Sequence, residues 1–221
     1  MTIIDGIGPA PAPISSLKNP QVRLPPLESN VDYGQLTCDV ASRDRVAEEI
    51  CRDFPYGGRV LFLGDDDLVS EAVALAGFSV TVVDVDERIG QCLATVEADL
   101  SFVLGDVRRP LEAGQFDAVV LDPADGSVAL NHWLNRVHEH LGDEEGVRVY
   151  LSVNMHRLGR RWASLLAGLA RRDLVPVRSQ ERIKRYPSPS WADTTTDLWV
   201  FERMALPSSL PVPYVEIETN R

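Results

Sequence analysis

The stretch RVLFLGDDDLVSEAVALAGFSVTVVDVDE, residues 59–87, decides the fold. Arg59 to Leu63 reads as a buried strand, Leu68 to Ala76 carries apolar residues at helical spacing, and Ser79 to Val83 returns to strand-like text. Working outward, Glu87 to Ala98 continues as helix and Ser101 to Leu104 as a third strand, completing β-α-β-α-β. Such alternation implies a mostly parallel sheet with helices on both faces, because right-handed crossovers place them there.

Phe116 to Leu121 and Val147 to Val153 read as the next two strands, with helices at Val128 to His140 and at about Leu158 to Arg171. Val175 to Ile183 and Thr196 to Arg203 form a closing hairpin around the Tyr186-Pro187-Ser188-Pro189-Ser190 loop. The expectation is an α/β, Rossmann-like domain over residues 31–221, with a mostly parallel seven-stranded sheet and a C-terminal antiparallel hairpin. Before it, residues 1–30 hold six prolines between Pro9 and Pro26 and read as an extended arm. A helix capped by Ser42 or Asp44 runs from there until Pro55 and Gly57-Gly58 stop it.

With 22 Lys and Arg against 33 Asp and Glu, the chain carries a net charge of -11. Its average surface repels nucleic acid and anionic membranes and favours cationic partners. The three cysteines, Cys38, Cys51 and Cys92, form no C-x-x-C pair and read as reduced core thiols. No run of ~18 apolar residues and no leader pattern is present, so a cytoplasmic protein is expected. His132, His138, His140 and His156 lack metal-site spacing, so no metal is expected, while a homodimer stays open.

In open α/β sheets the ligand lies beyond the carboxyl ends of the strands. Aspartates collect there: Gly64-Asp65-Asp66-Asp67, Asp84-Val85-Asp86, Gly105-Asp106 and Asp122-Pro123-Ala124-Asp125. Asp84 stands twenty positions beyond Gly64, the spacing at which an acid accepts from ribose hydroxyls. Asp106 is then expected near an adenine amino group, with Val107 and Leu104 lining the ring. Three aspartates replace the glycines that a phosphate needs, which argues against NAD, FAD or ATP and for a phosphate-free, positively charged nucleoside. Asp122, stiffened by Pro123, suits an amine awaiting alkylation, since positioning the lone pair carries much of such a reaction. Trp191 and Tyr186 are candidates to cover an aliphatic amine by cation–π contact, or simply to pack their loop.

The Gly64-Asp65-Asp66-Asp67-Leu68 run, the Asp84-Val85-Asp86-Glu87-Arg88 run and Asp122-Pro123 resemble the branched-chain polyamine synthases, also called N4-bis(aminopropyl)spermidine synthases. The resemblance covers most of Gln35 to Arg203 and implies a methyltransferase-like fold. It implies aminopropyl transfer from decarboxylated S-adenosylmethionine to a polyamine-like amine, with Asp65 and Asp122 catalytic. Gly64, Asp66, Asp84, Val85, Asp106 and Val107 are placed on the nucleoside, and Gln35, Asp67, Pro123, Asp125 and Trp191 on the acceptor. Ala124 stands where the family carries a second proline, and the proline-rich arm stands where it carries a winged-helix-like domain. Two alternatives stay open: intact S-adenosylmethionine as donor of a methyl or 3-amino-3-carboxypropyl group, or for cyclisation, and a nucleoside-binding partner protein without activity.

Overall fold

A computed structural model describes residues 23–123, 127–187 and 194–204. Seven strands form one sheet in the order β3-β2-β1-β4-β5-β7-β6. They are β1 (Arg59–Leu63), β2 (Ser79–Asp84), β3 (Leu100–Leu104), β4 (Ala118–Leu121), β5 (Arg148–Val153), β6 (Leu174–Tyr186) and β7 (Thr194–Arg203). The first five run parallel, and β7 enters antiparallel between β5 and β6. The helices are α1 (Val40–Asp53), α2 (Val69–Leu75), α3 (Glu87–Leu93), α4 (Ser127–His140), α5 (Met155–Leu158) and α6 (Arg160–Ala170).

Strand alternation builds two cores. Val60 and Phe62 of β1, with Val120 of β4 and Tyr150 of β5, face a cluster completed by α1, α2 and α3. Leu61, Leu63, Val119 and Leu151 face the opposite cluster, under α4 and α6. Each buried Leu, Val or Phe contributes roughly 1.5–3 kcal/mol, and a one-residue slip would exchange both cores at once, which locks the register.

Several boundaries differ from the sequence reading for physical reasons. Asp39 caps α1, its carboxylate accepting from Ser42 N at 2.7 Å, so the helix begins at Val40 rather than beside Ser42 or Asp44. The helix expected over Leu158 to Arg171 is broken at Gly159, whose φ of 53° and ψ of -126° separate α5 from α6. No helix lies between β3 and β4, so Ser101 and Val103 of the edge strand stay exposed on one face. Among the described residues, no helix is long and apolar enough to cross a membrane.

The last described part of the proline-rich arm is tied down. Glu71 of α2, fully buried, accepts from Leu24 N at 2.7 Å and from Arg43 Nη1 at 2.8 Å, while Arg43 Nη2 donates to Leu24 O at 3.1 Å. Leu24 and Leu27 pack on the α1-α2 core beside this clasp. Arg43 is 1% exposed, so removing its partner leaves an uncompensated buried charge. Glu71→Ala is expected to lose about 3–5 kcal/mol in urea unfolding. The paired change Arg43→Met with Glu71→Leu should recover most of that loss.

Candidate active site

β1 lies between β2 and β4, and the chain reverses its direction of travel across the sheet between β1 and β4. The carboxyl ends of these strands are in register, with Leu63 opposite both Val83 and Leu121. The loops after them therefore meet at the switch point where such sheets bind ligands. Asp65 to Asp67, Asp84 and Asp122 are brought together there.

Gly64 adopts φ +71°, and a Cβ on it would lie 2.9 Å from the Trp133 ring of α4. The tight turn beneath that indole sends Asp65, Asp66 and Asp67 in different directions. Asp65 turns into α2: its Oδ1 accepts from Val69 N at 2.8 Å, and both its oxygens lie within 3.4 Å of Ser70 N. Leu68, formally the cap, has φ 56° and contributes no side-chain bond, so Asp65 caps the helix instead. Its carboxylate is expected at the chemistry, yet it points into helix backbone. Asp84 ties the loops, accepting from Asp65 N at 3.0 Å through Oδ2 and from Asp86 N at 2.9 Å through Oδ1.

Asp67 is 2% exposed, and its Oδ1 accepts from Cys38 N at 2.5 Å. Its Oδ2 accepts from Lys184 Nζ at 2.6 Å, and the same ammonium donates to Asp122 Oδ2 at 2.6 Å. Tyr186 Oη donates to that Asp122 oxygen at 3.1 Å and lies 3.2 Å from Thr196 Oγ1. No described residue donates to Asp122 Oδ1 or to the half-buried Asp66 carboxylate.

These placements set the charge states. Burial pushes Asp65 up to about 8, with Asp67 adding to it and Ser70 and Lys184 opposing it. Burial also raises Asp66 well above the carboxylate range, and Asp67 and Asp122 reinforce that rise. Asp84 is raised by burial against the pull of the Asp86 and Asp65 amides. Burial raises Asp122, with Lys184 opposing. For Lys184, burial works against the ammonium, but Asp122 and Asp67 outweigh it and hold the group charged.

The remaining expected residues divide between the site and its supports. Val85 and Asp106 line an open cleft of about 460 Å³ beyond β2 and β3, with Val103, Leu104, Pro110 and Leu111. Arg108 forms a 2.6 Å ion pair with Asp106 at its rim. Val107 instead packs on the α4 core. Gln35 donates to Asp86 Oδ2 at 3.1 Å and accepts from Arg88 Nη2 at 3.1 Å, placing it beside the β2 loop rather than at Asp122. Pro123 is buried. Asp125 and Trp191 lie outside the described residues.

Lys184 was absent from the expected site. It follows the strand expected over Val175 to Ile183 and lies on the face of Arg178 and Gln180, and a register shift between Gln180 and Lys184, with Arg182 at φ 53°, interrupts the alternation. Ile183 and Lys184 are consequently both buried. The backbone is pinned on each side, since Arg45 donates to Ile183 O at 2.8 Å and Arg185 N to Ser42 Oγ at 2.9 Å.

This strand order, with acids at the switch point in place of a glycine-rich turn, defines a methyltransferase-type Rossmann domain. Residues 23–198 match the branched-chain polyamine synthase A C-terminal domain, and the chain belongs to that family. The branched-chain polyamine synthase of Thermus thermophilus, solved with N4-aminopropylspermidine and 5'-methylthioadenosine, is similar with a TM-score of 0.69 and 22% identity, covering 81% of this chain and 61% of that one. A putative RNA methyltransferase of Pyrococcus horikoshii has a TM-score of 0.63 at 17% identity, covering 87% and 95% of the two chains. An uncharacterized protein of Methanocaldococcus jannaschii is 32% identical over 152 residues, 65% of this chain and 38% of its relative. The chain thus spans well under two thirds of the length of that curated relative.

Asp65 provides a pH test. An acid held at about 8 in the fold, against 3.8 ordinarily, contributes stability that is whole below about pH 4 and is lost as pH rises through about 8. Asparagine keeps the cap without titrating. The melting temperature of Asp65→Asn relative to the native protein should therefore climb between about pH 5 and 8.5, and a constant difference would refute the assignment.

Proposed function

We propose that this protein transfers an aminopropyl group from decarboxylated S-adenosylmethionine to an amine acceptor of the polyamine type. The observation that carries this reading is a pair of acceptors, Asp66 and Asp122 Oδ1, to which none of the described residues donates, beside a loop that has no cradle for phosphate. Half-buried carboxylate oxygens that no described residue bonds favour a cationic guest, and the donor offers both a sulfonium and an ammonium. Membership of the polyamine synthase family supports the same substrate class.

On this reading the ribose hydroxyls bond Asp84, whose oxygens each keep a lone pair, and the base lies in the cleft beside Val85, Leu104 and Asp106. Asp66 receives the donor's ammonium. Asp122 Oδ1 accepts an N–H of the acceptor amine and aims its lone pair at the methylene next to sulfur. As the new carbon–nitrogen bond forms, the carbon–sulfur bond breaks and its electron pair returns to sulfur, giving a neutral thioether nucleoside. Asp122 stabilises the positive charge developing on nitrogen, and the surplus proton leaves to water. Asp65 serves this reaction by fixing the loop rather than by touching the reacting atoms.

Intact S-adenosylmethionine requires a partner for its carboxylate. Asn154 is committed elsewhere, its Oδ1 accepting from Arg157 N and its Nδ2 donating to Thr195 O, and Thr37 Oγ1 lies 3.4 Å from Ser29 Oγ. The bonds of Asn154 support the decarboxylated donor, whereas Thr37 keeps hydrogen-bonding capacity and the Ser127 side chain lies outside the described ones. Mass spectrometry of nucleoside products, with each donor and a panel of amines, tests the assignment. Methylthioadenosine should form with the decarboxylated donor alone, and product only from intact donor, or none with any amine, would overturn it. Asp122→Asn should lower kcat/KM for the amine by roughly 10²-fold or more while titration calorimetry shows little change in nucleoside affinity.

A further inference from the structure

We infer that Lys184 and Tyr186 are positioning residues for the alkyl transfer: by both bonding Asp122 Oδ2, they fix that carboxylate and leave Oδ1 as the oxygen presented to the acceptor amine. This rests on the aminopropyl-transfer reading of the site. A carboxylate just past a strand end that turned freely about its side-chain bonds would offer either oxygen in several directions. Here Lys184 Nζ donates to Oδ2 at 2.6 Å and Tyr186 Oη donates to the same oxygen at 3.1 Å, while no described residue donates to Oδ1.

The two donors stand two positions apart on β6, so their side chains leave the same face of the strand. Each is held from a second side. Lys184 Nζ also donates to Asp67 Oδ2 at 2.6 Å, and its side chain is 4% exposed. Tyr186 is buried, its Oη lies 3.2 Å from Thr196 Oγ1, and Thr196 is the partner of Lys184 in the β6-β7 ladder. The backbone is fastened on both sides of Lys184: Arg45 Nη2 donates to Ile183 O at 2.8 Å, and Asp39 N donates to Arg185 O at 3.1 Å. The same pair governs the charge of Asp122, which is faced by Asp66 and Asp67 from the loop after β1, by Cys38 from the segment before α1, and by Lys184 and Tyr186 from β6. Burial and Asp67 raise Asp122, and the bonds from Lys184 and Tyr186 oppose them. Without the ammonium, Asp122 keeps its proton to higher pH, and a neutral carboxyl stabilises no charge developing on nitrogen.

The experiment measures kcat and KM across pH for methylthioadenosine release from decarboxylated S-adenosylmethionine with spermidine. Lys184→Met should lower kcat about tenfold to a hundredfold and move the acid limb of kcat/KM upward by about one pH unit or more, with little change in calorimetric affinity for methylthioadenosine. Tyr186→Phe keeps the ammonium, so it should lower kcat less and move the limb less. Because Lys184→Met leaves Asp67 uncompensated, the pair Lys184→Met with Asp67→Asn is measured beside it. Its melting temperature should recover toward the native value while kcat stays low. Recovery of kcat together with stability, or folded single variants with the native kcat and acid limb, would overturn the inference. If the native protein releases no methylthioadenosine with any amine, the reaction assignment fails. Calorimetric binding of spermidine in the presence of methylthioadenosine then decides the positioning role: Lys184→Met should bind more weakly and lose binding at higher pH as the solution is acidified, and affinities equal to native at every pH would end it.

Discussion

Carboxylates on neighbouring strand ends repel one another, and burial makes each more costly to keep ionised. Asp67 and Asp122 end adjacent strands of this sheet, and their convergence is tolerable because Lys184 lies between them. Much of the architecture serves to deliver that ammonium. β6 is the outermost strand, yet its end reaches the crevice through bonds to Ser42 and Arg45 in the first two turns of α1. At the other end, Asp53 of α1 takes Arg178 of β6, Arg148 of β5 and the Tyr150 hydroxyl on one carboxylate, which these partners hold below the usual range despite burial.

The acidic loop divides its labour in a way that composition conceals. One aspartate caps a helix, one pairs with lysine, and one has no donor among the described residues. Three identical side chains in a row thus have three electrostatic fates, set by a positive-φ glycine before them and a left-handed leucine after them. Leu68 is buried, and its packing offsets the roughly 1–3 kcal/mol that such a backbone costs.

The strands and their order of burial were legible because β1, β4 and β5 are covered on both faces and read as uninterrupted apolar text. The convergence of Asp65 to Asp67, Asp84 and Asp122 followed from that alternation alone. What stayed hidden depends on local backbone irregularity. Lys184 keeps the face of Arg178 and Gln180, which α1 covers, while the irregularity at Arg182 brings Ile183 inward as well; nothing in the basic text of β6 tells that this face is covered. Nothing in a run of aspartates tells which one faces the helix, so the cap role of Asp65 could not be read. The bonds of Gln35 to Asp86 and Arg88 were hidden for a related reason, because they join segments far apart in the chain.

The missing helix between β3 and β4 bears on how a reaction cycle would end. It leaves the cleft beyond β2 and β3, where the proposed reading lays the base, open along one side, with Leu104 and Val85 facing water. A guest anchored by charge at one extremity and resting on an unroofed shelf at the other is held mainly while its sulfur is positive. Transfer neutralises that atom, so on the proposed chemistry the spent nucleoside sheds its own tether and can drift out sideways without any door having to swing.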